Sequence, residues 1–200
     1  QSLGRTLFAR LFGLAGAVQS DVAALAVSIG PGSFTGLRIG LTTAKTLAYA
    51  WGKPIVGAPT LEALAYGCPC ADGWVAALLD AQKGRVYRAI YRWQAGRLCE
   101  VSPVEIAPAT AVVAELAALP APVMVVGESV REHRALIDAT NGRVVAAPEA
   151  ALMPRAAVVA LLGYEKWQQG TAVRPEELNP FYVRRAEAEE LWERRLREKA

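Results

Sequence analysis

The stretch GPGSFTGLRIGLTTAK, Gly30 to Lys45, offers the chain's clearest opportunity for chemistry. A glycine turn between a strand and a helix leaves free backbone N–H groups at the helix start. The helix dipole adds partial positive charge there, so such a turn can hold a phosphate. Gly30, Gly32 and Ser33 are therefore candidate phosphate contacts. The spacing matches neither common phosphate loop. G-x-x-x-x-G-K-[ST] is not found in the chain, and G-x-G-x-x-G fails because Thr35 stands in the third place. Gly36 and Gly40 lie one turn apart inside the helix, where each weakens it by about 1 kcal/mol relative to alanine. Close approach by another helix explains them somewhat better than a phosphate does, and the pattern leaves both readings open.

Other reactive side chains are sparse. Asp80 ends an apolar run just before the turn AQKGR, and aspartate also favours turns for its hydrogen bonding alone. His133 is the only histidine and sits between Glu132 and Arg134, as a surface residue would. One histidine cannot serve both a nucleophile and a metal, so neither a catalytic residue nor a metal ligand is expected. Cys68-Pro69-Cys70 has no zinc or thioredoxin spacing, and with Cys99 the count is odd, which favours free intracellular thiols.

The elements that position these residues follow from periodicity. Leu3, Leu7, Leu11, Leu14 and Val18 form one helical stripe within residues 2–18, widened by Phe8, Phe12 and Ala15. A helix apolar over most of its circumference needs cover on two sides. Residues 21–29 read as a buried strand. The glycine-bearing helix should run from about residue 34 to 50, with Ser33 as its N-cap and Gly52 at its end. Strand and helix follow near residues 54–56 and 60–66. Then come WVAALLD and VYRAIYRW as a hairpin, a helix at 110–119, a strand at 123–126, a helix at 131–139, a short strand at Val144 and Val145, and an apolar helix at 153–169. The last segment, RRAEAEELWERRLREKA, reads as a charged helix from 184 to 200. Such a helix is expected to be solvated; the alternative is that its Leu191, Trp192 and Leu196 stripe docks on a neighbouring subunit.

At 200 residues, 53% hydrophobic and with net charge +3, the chain is a globular type with no strong electrostatic pull toward nucleic acid. No apolar run approaches the roughly 20 residues of a membrane span. The alternation of elements predicts an α/β fold with two lobes, residues 1–57 and 58–200.

GPGSFTGLRIGLTTAK resembles the signature of the TsaB family, also called YeaZ. LLDAQKGRVYRAIY, Leu78 to Tyr91, is similar to the family's D-A-R-x-G-E-V-Y hairpin, and NPFYVR, Asn179 to Arg184, to its P-x-Y-L-R stretch. The resemblance implies a two-lobed actin-like ATPase fold, ribonuclease H-like, with mixed sheets flanked by helices. It also places Gln1 and Ser2 at the start of the family's first helix, so the first lobe is expected to be incomplete, without its opening strands. The implied role is a non-catalytic scaffold for a TsaD-type enzyme that makes threonylcarbamoyl-adenosine beside the anticodon of tRNA. A TsaE-like ATPase would join the complex, and tRNA would be met indirectly.

The same resemblance implies a helix bundle with the partner, or with a second copy in a homodimer. Leu3, Leu7, Leu11, Gly36, Leu37, Gly40, Leu41, Ala44 and Lys45 would build that interface. Asp80 would stand near where the superfamily keeps an acidic group beside Mg-nucleotide, with ATP or ADP bound weakly at most, and only in the complex. No cofactor of its own is expected, and the location implied is cytoplasmic. The alternative is an active ATPase or kinase of the same superfamily, which the missing D-x-G-type loop and histidine pair disfavour. A dinucleotide enzyme would need Thr35 to replace the third glycine.

Overall fold

The computed structural model describes residues 3–68 and 72–183, with side chains from residue 9 onward. Helix α1 (Leu3–Ala15) ends where Gly16 turns left-handed. Strand β1 (Leu25–Gly30) leads through the glycine turn into α2 (Phe34–Trp51). The Ser33 hydroxyl accepts from the Gly36 N–H, and Gly52 closes the helix in the left-handed conformation, as the sequence predicts. Strand β2 (Ile55–Pro59) pairs in parallel with β1, from Leu25 opposite Ile55 to Ser28 opposite Ala58. Residues Leu25–Ile29 are half-buried rather than buried, because β1 has a paired strand on one side only among the described residues.

Helix α3 (Thr60–Tyr66) packs on strands of both sheets. Thr60 opens it without capping it; its hydroxyl hydrogen-bonds Ser28 Oγ at 2.6 Å and ties the helix to β1. Strands β3 (Gly73–Asp80), β4 (Arg85–Gln94) and β5 (Arg97–Pro108) form an antiparallel meander. The sequence reading contains no strand over 97–108. Pro103 disguises it, since proline cannot donate to a ladder, and the pairing loses register there, between Arg88 and Ile90. Helix α4 (Ala109–Ala117), β6 (Val123–Val126), α5 (Ser129–Glu132), α6 (Arg134–Asp138) and β7 (Val144–Ala146) complete the second sheet, in the order β5-β4-β3-β6-β7. The single helix expected over 131–139 is two short ones, broken at half-buried His133. Helix α7 (Ala156–Gln168) packs on β1, β2 and α3.

The main core fills the five-stranded sheet, where Val75, Ala76, Ala77 and Leu78 are at most 1% exposed. Arg88 is buried there against Glu105 (2.9 Å) and Glu115 (3.2 Å), so its charge is paired. The segment 172–183 returns as a strap to the two-stranded sheet. Val173 exchanges backbone hydrogen bonds with Ile55, and Phe181 N–H donates to the Ile29 carbonyl at 2.8 Å. Between them Leu178 joins a cluster with Ala44, Ala48 and Ile55. A side chain on Gly57 would begin 3.0 Å from the Leu178 Cδ1 and 2.8 Å from the Ile29 Cγ2, which accounts for a glycine inside a strand. The charged segment 184–200 and Cys70 lie outside the described residues. No helix among the described residues is long and apolar enough to cross a membrane.

Candidate functional site

Helix α2 presents three different sides, set by its 100° step per residue. The first faces the sheet, where Leu41 and Ala48 are buried and Ala44 is nearly so. The second faces the strap. Lys45 Nζ donates to the carbonyl oxygen of Leu178 at 3.0 Å and reaches that of Glu176 at 3.5 Å. Arg38 lies 4.0 Å over the Phe34 ring and donates to the Tyr182 hydroxyl at 3.4 Å, while the Phe34 and Tyr182 rings stand 5.5 Å apart. The third side is open. It carries Thr35, Gly36, Ile39, Gly40, Thr42, Thr43 and Thr46, with no charged residue among them, and Ile39 is 64% exposed.

Among the described residues no atom outside helix α2's own backbone lies within 4 Å of where a Cβ on Gly40 would stand, and Gly36 meets only the Ser33 side chain at 3.4 Å. Neither glycine is explained by packing against the described residues. Beside them α1 and α2 flank an apolar groove of about 440 Å³, lined by Leu11, Phe12, Leu25, Gly40, Thr43, Leu47 and Trp51 among others. The Phe12 and Trp51 rings, 6.2 Å apart, close one end of the helix pair. Leu11 is 60% and Leu14 87% exposed. Exposed apolar surface is the usual raw material of interaction sites.

The predicted interface residues thus divide. Leu11, Gly36 and Gly40 lie on the open face or its groove. Leu37 is half-buried toward the glycine turn, Leu41 and Ala44 pack inward, and Lys45 is spent on the strap. The side chains of Leu3 and Leu7 lie outside the described residues. Ile39, Thr43 and Leu14 also belong to the open face. Helical spacing from Gly36 and Gly40 would have found the first two.

The candidate phosphate contacts are not gathered into a cradle. Gly30 is buried at φ +113°, and a Cβ there would fall 2.7 Å from the Phe181 carbonyl oxygen. That oxygen's lone pairs are a poor neighbour for an anion. The Ser33 hydroxyl already caps α2, and Gly32 is exposed. Asp80 is exposed and accepts from the Gln82 N–H at 2.7 Å, closing the turn of the β3–β4 hairpin. Among the described residues no three His, Cys, Asp or Glu side chains group closely enough to hold a metal ion.

Elsewhere the titratable groups serve packing. Tyr66 donates to Glu165, and that bond, with burial, pushes its phenol up to about 12. Lys166 pairs with Glu62 at 3.0 Å, so α3 and α7 are joined twice. Burial raises the Tyr91 phenol as well.

Known proteins agree with this architecture. The family model of TsaD, tRNA N6-adenosine threonylcarbamoyltransferase, matches residues 5–192. The tRNA threonylcarbamoyladenosine biosynthesis protein TsaB of Bacillus subtilis is 35% identical over 175 residues, covering 86% of this chain and 74% of that protein. TsaB of Escherichia coli is 44% identical over 75 residues, 36% of this chain and 32% of its own. A Pseudomonas aeruginosa crystal structure, described as an uncharacterized protein with similarity to peptidase YeaZ, superposes with a TM-score of 0.74 at 29% identity. That alignment covers 88% of this chain and 81% of the other. The mixed sheets and flanking helices are those of the actin-like, ribonuclease H-like fold, and the chain belongs to the TsaB family, also known as YeaZ.

Proposed function

We propose that this chain is a non-catalytic subunit in the biosynthesis of threonylcarbamoyladenosine on tRNA, and that it supports a TsaD-type transferase by docking through the open face of α1 and α2. The observation that carries this reading is the glycine pair. Gly36 and Gly40 weaken α2, yet no described residue uses the space that Gly40 leaves, and only Ser33 approaches Gly36. A second helix laid across them would use it, and the uncharged threonine and isoleucine neighbours would let it approach without desolvating a charge. The name of the Bacillus subtilis relative supplies the pathway.

The reading requires no catalytic group here. The glycine turn serves the strap and the helix cap, and half-buried His133 stands at the break between α5 and α6. A homodimer through the same face would hide the same apolar surface when the partner is absent. A TsaE-type ATPase would join the assembled complex, and contact with tRNA would fall mainly to the partner.

The test is co-purification with the TsaD-type protein of the same organism, sized by light scattering. A stable one-to-one complex that is lost with Gly40→Leu establishes the docking face. A complex that survives Gly36→Leu and Gly40→Leu alike overturns it. Threonylcarbamoylation of tRNA by the partner should fall together with complex formation.

A further inference from the structure

We propose that Asn141 is a modification site: the backbone nitrogen of Gly142 attacks its side-chain amide, and the turn leading into β7 acquires a negative charge and an isoaspartyl linkage. The site belongs to the five-stranded sheet, so it stands or falls independently of the docking face on α2.

The chain contains two asparagines, Asn141 and Asn179, and the residue after each decides its fate. Asn179 precedes Pro180, whose nitrogen carries no hydrogen and cannot become the nucleophile. Asn141 precedes Gly142, whose nitrogen carries one and has no side chain beside it to hinder attack. Turn geometry accounts for this pair of residues. Asn141 stands at φ +51° and Gly142 at φ +82°, and the Arg143 N–H donates to the Thr140 carbonyl at 3.2 Å. Asn-Gly is favoured where two successive residues must be left-handed. The same choice sets a nucleophile next to an electrophile, and the fold occupies neither. Both residues are exposed. Among the described residues the Asn141 side chain makes no hydrogen bond, and the Gly142 N–H donates none.

Water is the only co-reactant. The Gly142 nitrogen loses its proton to solvent base and forms a bond to Asn141 Cγ. The carbon–nitrogen bond of the side-chain amide breaks, and ammonia leaves with a proton from solvent. A five-membered succinimide remains. Water opens this ring at the backbone carbonyl to give isoaspartate, or at Cγ to give aspartate. In sum an amide and water become a carboxylic acid and ammonia, with nothing oxidised or reduced.

Isoaspartate carries the main chain through its side chain and is one methylene longer. The turn is pinned on both sides of the insertion. Thr140 Oγ1 accepts from the Val144 N–H at 2.9 Å and donates to the Ile137 carbonyl at 2.7 Å. The Arg143 guanidinium donates to the carbonyl of Ala117 at 3.1 Å and to that of Leu119. The Arg143 carbonyl accepts from the Val123 N–H at 3.0 Å, beside the first pair of β6 with β7. Attack therefore waits for local opening of the turn, and the longer product disturbs the pairing of β7 with β6.

The experiment ages the purified full chain at mildly alkaline pH, separates it by charge and maps its peptides by mass. Isoaspartate is read by methyl transfer from S-adenosylmethionine with a protein-isoaspartate methyltransferase. An acidic species should accumulate, faster as pH rises, with the mass change and the methyl acceptance confined to the peptide that holds Asn141. Asn141→Gln should lose that species. Glutamine accepts the left-handed region, as Gln82 does at φ +65°, but its longer side chain must close a six-membered ring. The same acidic species in Asn141→Gln, or conversion of Asn179 as fast as that of Asn141, would overturn the proposal. So would an Asn141 left intact over a period that converts a free peptide of residues 138–145. In the converted chain the Val123 amide should exchange faster; an unchanged Val123 amide would overturn the effect on β7.

Discussion

In the five-stranded sheet the residues Val75–Leu78 are essentially closed to solvent, whereas every residue of Leu25–Ile29 in the two-stranded sheet is half-buried. The first sheet is covered by α3, α4, α5 and α6, and its buried cation, Arg88, has carboxylates from β5 and α4 around it. The second is covered by α2, α7 and a strap that comes from the far end of the chain. Its helix α2 spends one side on the sheet and one on the strap and leaves a third side uncharged and open. Apolar surface satisfied inside the molecule contributes stability; apolar surface left outside is available for association. The two regions divide those tasks.

The sharpest break of this division is in the closed sheet. Leu78→Ala removes a side chain 1% exposed, and should cost about 2–5 kcal/mol in denaturant unfolding. A much smaller loss would mean that the core is less tightly packed than the burial implies. On the open side the sign should reverse. Gly40→Ala sits in free space on a helix, so the isolated chain should gain about 0.5–1 kcal/mol while partner affinity falls. Loss of both stability and affinity would show that Gly40 has a role within the fold.

The strap tests the boundary between the regions. Lys45→Met keeps the aliphatic stem and removes the donations to Leu178 and Glu176, which should cost about 0.5–1.5 kcal/mol. Exchange of the Phe181 amide should quicken, and that of the five-stranded sheet should not. The smallest effect concerns α3 and α7. Because the folded Tyr66 phenol is raised to about 12 from an ordinary value of 10.0, its contribution is complete below pH 10 and is lost as pH climbs toward 12. Tyr66→Phe should flatten that alkaline limb at a cost of about 1 kcal/mol or less at neutral pH. An alkaline limb unchanged in Tyr66→Phe would assign it to another group.

Much of this molecule was legible in its residues because local signals were strong. Ser33 and Gly52 bound α2 as their capping chemistry requires. The period-two run of VYRAIYRW gave β4, and the three quoted stretches carried the family and, with it, the actin-like fold. Strand β5 was hidden because Pro103 speaks against a ladder locally, yet the ladder shifts register beside it, between Arg88 and Ile90, and again between Ile90 and Tyr91. The exposed half of β1 was hidden because an apolar run looks the same whether one neighbour or two will cover it.

Sequence by itself thus determined the elements, the family and the place where glycine interrupts a good helix. Only the tertiary structure decided what the glycines face. Spacing along one helix fixes which residues share a side, but the neighbour on each side comes from distant parts of the chain. Leu178 and Phe181, brought back from 120 or more residues away, account for Gly57 and Gly30. No such segment among the described residues reaches Gly40, and its side of α2 stays open.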